Sequence, residues 1–117
     1  MRPLRIPLRV VFYKEDGEWV AHCLEFNLLG HGPNKRSALK LLGNAISVQM
    51  EATVKYQNPR NLISFADEEY FEMFAAGKDV AVGKIEIHPV DSVIIQSVDA
   101  REYVEKPESS EADLTPA

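Results

Sequence analysis

Trp19-Val20-Ala21-His22-Cys23-Leu24-Glu25-Phe26-Asn27-Leu28-Leu29-Gly30-His31-Gly32 is followed at once by a long helical pattern that starts near Asn34. The stretch packs a strand, a short turn, a second strand ending in Gly-x-Gly and a helix start into very few residues. Spacing that tight leaves little room for an active-site loop. The sequence therefore points to a small sheet-plus-helix module that works through its surface.

Upstream, Ile6, Leu8, Val10 and Phe12 alternate with Arg5, Pro7, Arg9, Val11 and Tyr13, the period-two signature of a strand. Pro7 removes one ladder donor, which favours an edge position or an irregular start. Lys14 to Glu18 form a turn in which Asp16-Gly17 supplies the positive-φ positions of a hairpin. The next strand runs from Trp19 to about Glu25, and Leu28 to Gly32 form a third. The two glycines of that third strand suggest a bulge or a close backbone approach. Three strands in this order make an antiparallel meander.

Asn34 is a plausible N-cap for a helix from Lys35 to about Tyr56. Leu39, Leu42, Ile46, Met50 and Thr53, flanked by Ala38, Ala45 and Ala52, give it an apolar stripe broad enough to cover one sheet face. Gly43 is unfavourable within a helix by up to about 1 kcal/mol against alanine, so it belongs where a neighbouring backbone comes close. Asn58-Pro59 stops the helix. Asp67 caps a short helix from Glu68 to about Ala76, with acids in its first turn and Gly77 after its end. Val82 to Val98 is β-rich and reads as two strands joined at Pro89-Val90-Asp91-Ser92. From Glu105 onward Pro, Ser, Glu and Ala dominate, the composition of an acidic, disordered tail.

A chain of 117 residues makes one domain, here residues 1–104, followed by the tail at 105–117. With 18 acidic against 13 basic side chains, broad phosphate-backbone binding is disfavoured and a basic protein partner is better suited. Self-association is expected, because a domain this small leaves much apolar surface uncovered. A single cysteine excludes an intramolecular disulfide and fits a reducing, cytoplasmic setting. No apolar run approaches the roughly 18–20 residues that span a bilayer, so no membrane partner is expected. The charged start Met1 to Arg5 lacks the apolar core of a secretory signal.

Glu15-Asp16-Gly17, Trp19-Val20-Ala21, Cys23, Gly30-His31-Gly32 and Ala38-Leu39 together resemble the HicB-like antitoxin family. The resemblance covers the first half of the chain. It implies a partial RNase H-like fold with the helix on one face of a small antiparallel sheet. It also implies a role, the binding and neutralising of a small mRNA-cleaving toxin of the HicA type. The chain departs from the family at the helix start, where Asn34, Arg36 and Ser37 replace a Thr cap and early acids. It shows no helix-turn-helix or ribbon-helix-helix pattern after Val98, so direct DNA binding is not expected. The aromatic helix around Tyr70 to Phe74 is not part of the minimal module. These departures suit an orphan branch that has no toxin partner.

His22 and Cys23 invite a metal or nucleophile reading, but neighbours in a strand point to opposite faces and cannot hold one ion. Cys23 fits a small core residue beneath the helix. Two-metal nuclease chemistry needs several carboxylates projecting from the sheet. The first strand has no acid between Arg5 and Tyr13, Asp16 lies in a turn, and Glu25 is isolated. The chain is therefore read as neither an enzyme nor a metalloprotein, and no cofactor is expected.

The second face of the sheet is the better candidate. If Ile6, Leu8, Val10 and Phe12 meet the long helix, Tyr13 points away from it, with Val20, His22 and Leu24 beside it. These four are the candidate partner-binding residues, because an apolar and aromatic face seldom stays bare. The alternative is that the helix at Tyr70 to Phe74 or the later strands cover that face within the chain. The expected architecture is α+β, a small antiparallel sheet in a β-β-β-α core, with a long helix on one face, a short second helix and later strands. The expected function is a non-catalytic antitoxin-type binding module. A homo-oligomeric scaffold of the same fold without a toxin is the alternative.

Overall fold

The hairpin at the start of the chain turns on Asp16 and Gly17, whose φ angles of 52° and 82° lie in the left-handed region that Asp-Gly tolerates. In the computed structural model, which describes residues 3–56, 62–81 and 85–104, this turn joins β1 (Leu4–Glu15) to β2 (Glu18–Cys23). β3 (Leu28–Gly32) completes the antiparallel meander. It is followed by α1 (Lys35–Lys55), α2 (Glu68–Ala76), β4 (Lys78–Asp79) and β5 (Val93–Glu102). The sheet has five strands in the order β3-β2-β1-β5-β4. It is mixed rather than purely antiparallel, because β5 returns parallel to β1 after a crossover that contains both helices. The architecture is α+β, with helices against a single sheet.

β1 is the central strand, although Pro7 favours an edge. The position is tolerable because β2 pairs only with Val10 to Glu15, which leaves the Leu4–Leu8 half of β1 without a ladder on that side. On the other side the register with β5 shifts between Ile6 and Pro7, so the missing donor falls at an irregularity. Where β2 leaves the ladder, Glu25 takes over. Its carboxylate accepts from the Arg9 backbone N–H and from Arg9 Nε, both at 2.7 Å. Glu25 is thus a buried group paired with Arg9.

α1 lies across one face. Asn34 caps it by accepting from the Ser37 N–H at 2.8 Å. Ala38, Leu39, Leu42, Ile46 and Met50 pack on Ile6, Leu8, Val10, Phe12, Ala21 and Cys23. Gly30 and Gly32 let the helix rest on β3 at backbone distance. A Cβ on Gly30 would meet the backbone of Ala38 and Leu42, and one on Gly32 would meet Ser37.

Among the described residues, the region expected to form two strands between Val82 and Val98 contains one. Ile85 to Pro89 runs along the flank of α1, and a single bridge, Val90 to Val93, precedes β5. The cause is Gly43. The carbonyl oxygen of Glu86 comes within 2.5 Å of where a Cβ would stand there, and the His88 N–H donates to Ser47 Oγ at 2.9 Å. The segment satisfies its backbone against the helix instead of a strand. The helix stop at Asn58-Pro59 and the tail from Glu105 lie outside the described residues.

Candidate functional site

Tyr13, Val20, His22 and Leu24 do share the second sheet face, but they are closed off. Val20 and Leu24 are fully buried and His22 is 2% exposed. The cover is α2 and its approach: Ala66 and Phe74 complete this second core, with Tyr70, Phe71, Met73 and Tyr103 packed around it. Ala66 N–H bonds to the Leu24 carbonyl and Ser64 N–H to the Glu25 carbonyl, which fixes the chain over this face. The four side chains therefore form no open docking surface. The physical reason is that α2 is aromatic on its inner side and has this face as its only large apolar partner.

Within this second core one polar group is built in. His22 Nε2 lies 2.9 Å from Asn27 Oδ1 and Nδ1 lies 3.0 Å from the Tyr13 hydroxyl. An amide oxygen only accepts, so Nε2 carries the proton and Nδ1 accepts from the Tyr13 O–H. Asn27 holds its position from a left-handed turn, with φ of 53°. The Tyr70 ring closes the site at 4.5 Å from the imidazole. Burial lowers the His22 pKa, partly opposed by the Asn27 bond and by the charges of Asp67 and Glu15. Burial, with Tyr70 and Glu15 nearby, raises that of the Tyr13 hydroxyl. The trio is a neutral, satisfied network that orients Tyr13. Cys23 points the other way, into the core under α1, and its thiol is pushed up to about 12 by burial. Among the described residues, no three His, Cys, Asp or Glu side chains gather as metal ligands.

An open apolar surface lies on α1 instead, with Leu29, Phe65, Val98 and Val104 exposed elsewhere. Leu41 is 50% exposed, Val48 67% and Tyr56 70%. Leu41, Ala45, Val48 and Ala52 follow one another at alternating spacings of four and three, which places them in one stripe. The sequence held a signal for it. Leu41 and Val48 are apolar side chains that fall off the stripe formed by Leu39, Leu42, Ile46 and Met50. One helix with two apolar faces has two things to cover.

A second opening lies at the other layer, where the end of β1, the first turns of α2 and the end of β5 converge. It is a cleft of about 490 Å³ walled by Tyr13, Tyr70, Met73 and Tyr103, with Glu15 and Glu69 at its sides. Tyr13 and Tyr70 are stacked with ring centroids 5.8 Å apart.

The chain matches no family model, no characterised protein and no solved structure. Its chemistry has to be read from its own surface.

Proposed function

We propose that this chain is a non-catalytic protein-binding module of the HicB-like antitoxin type, which neutralises a small basic HicA-type toxin by covering its mRNA-cleaving surface. The observation that carries the reading is the uncovered stripe Leu41-Ala45-Val48-Ala52 on α1, in a chain with an excess of acids. Apolar side chains at the centre of such a patch supply affinity, and the net negative charge of the whole chain favours encounter with a basic partner. Support also comes from α1 lying on one sheet face, the placement the resemblance implies, with Gly30 and Gly32 letting it rest on β3. The docking surface of this reading is α1, not the face beneath α2.

Co-purification from the native host tests it. A short basic protein should travel with the chain, be toxic when expressed alone and be harmless with it. Leu41→Glu with Val48→Glu should abolish that capture while the melting temperature stays within a few degrees, because both side chains already face water. Toxicity that persists alongside the wild-type chain sinks the reading.

A second reading, a homo-oligomeric scaffold, has its own support in the same stripe. Two copies of α1 packed antiparallel about a point between Ala45 and Val48 would set Leu41 opposite Ala52 and Val48 opposite Ala45. Large side chains then lie over small ones, which allows close helix packing. Light scattering decides: a strict monomer removes the scaffold.

A further inference from the structure

We propose that the tyrosine-walled cleft between β1, α2 and β5 is a binding site for an organic cation carrying N–H donors, the guanidinium or ammonium of a basic side chain. Three observations meet there. The walls carry aromatic side chains, Tyr13 at the buried base and Tyr70 and Tyr103 more open, and an aromatic ring attracts a cation placed over its face. Tyr13 is not free to swing, because its hydroxyl is tied to His22 and its ring is stacked on Tyr70. The sides carry Glu15 and Glu69, both exposed, and neither is in an ion pair among the described residues. Two carboxylates favour a guanidinium or primary ammonium over a quaternary one, since only N–H groups can donate to them.

Among the described residues, two nearby cations, Lys14 and Arg101, are engaged by other groups. Lys14 lines the cleft, but it alternates with Tyr13 along β1 and its Nζ lies 5.2 Å from the centroid of the Trp19 ring. Arg101 stacks over Phe74 at 4.5 Å and donates to the Phe74 carbonyl at 3.1 Å. Glu15 and Glu69 give the cleft an acidic edge, and Lys14 is the one basic side chain among its described lining residues. Its volume of about 490 Å³ takes a whole arginine or lysine side chain together with the adjoining backbone. The site is on the opposite layer from the α1 stripe and does not depend on any toxin.

Titration of the full chain with N-acetyl-arginine amide, followed by NMR of the tyrosine ring resonances, tests the assignment. Tyr13, Tyr70 and Tyr103 should shift together and saturate with a Kd of roughly 1–10 mM, the range open to a ligand this small. N-acetyl-citrulline amide, the neutral isostere, should produce no saturable shift. Glu15→Gln with Glu69→Gln should weaken arginine binding roughly tenfold with an unchanged thermal melt, because both positions face water. Equal binding of citrulline, unchanged binding in the double variant, or no saturable shift with arginine each overturns the proposal. Tetramethylammonium binding more tightly than arginine amide overturns it in favour of a quaternary ammonium ligand. Capture of a toxin plays no part in this readout, so the two readings fail separately.

Discussion

His22 sits where a charge would have neither water nor an acid directly bonded to it, and both its nitrogens are used in the neutral form. Its pKa in the fold is below the ordinary value of 6.5, whereas the unfolded chain returns it to that value. Above pH 6.5 both states are neutral there and His22 adds no pH dependence. Below it the unfolded state binds a proton that the folded state refuses, so stability falls as pH falls, by at most about 1.4 kcal/mol per pH unit. The loss stops once the folded state also takes the proton. His22→Gln should therefore flatten the stability profile below about pH 6.5, at a cost of roughly 1–2 kcal/mol at neutral pH for the altered network. Urea midpoints measured across that range provide the comparison. An equally steep acid limb in the variant assigns the dependence to other groups and removes His22 from the account.

At the scale of elements, contacts between α1 and its neighbours are set by glycines more than by side-chain volume. Gly30→Ala puts a methyl group into the backbone of α1 near Ala38 and Leu42, and neither side can give by a rotamer change. The helix has to lift from β3, so the loss should reach 3 kcal/mol or more, at the upper end of what overpacking costs. Asn34→Ala removes one cap bond and should cost only about 1 kcal/mol. Denaturant unfolding of the two variants checks the order, and a Gly30→Ala protein as stable as Asn34→Ala contradicts the packing argument. The same glycines explain what could be read from sequence. Local chemistry was legible: Asp16-Gly17 for the hairpin, Asn34 for the cap, period two for β1, and period three to four for α1. The stretch from Ile85 to Pro89 was not, because its alternation fits a strand equally well and only the tertiary approach to Gly43 decides otherwise. Burial of Tyr13, Val20, His22 and Leu24 was likewise a tertiary matter. Their shared face follows from alternation, but what covers it depends on where α2 docks. The open stripe at Leu41 and Val48 was written in the helix, beside a stronger apolar stripe that masked it.

For the molecule as a whole, the sheet is closed by its most distant parts. β1 pairs with β2 only from Val10 to Glu15, and with β5 from Leu4 to Phe12. The Leu4 to Leu8 half of the central strand thus has its ladder only with a strand about 90 residues later. Ile6 and Leu8, both in the core under α1, depend on that pairing for their position. The consequence bears on the first half of the chain, since β1, β2, β3 and α1 alone would leave the central strand half unpaired. Parallel pairing of such separation makes the fold cooperative, and it also makes assembly slow compared with the hairpin. A chain ending after Ala76 keeps α2 and the hairpin but loses β4, β5 and the Tyr103 contact to the second core. It should show no cooperative thermal transition by circular dichroism and should bind a hydrophobic dye, because Leu4, Ile6 and Leu8 lose their neighbours. The full chain, by contrast, should melt in one transition with both sheet faces lost together. A truncated protein with dispersed amide resonances and a sharp melt would mean that the first half stands by itself, and that β5 is an addition to a finished sheet.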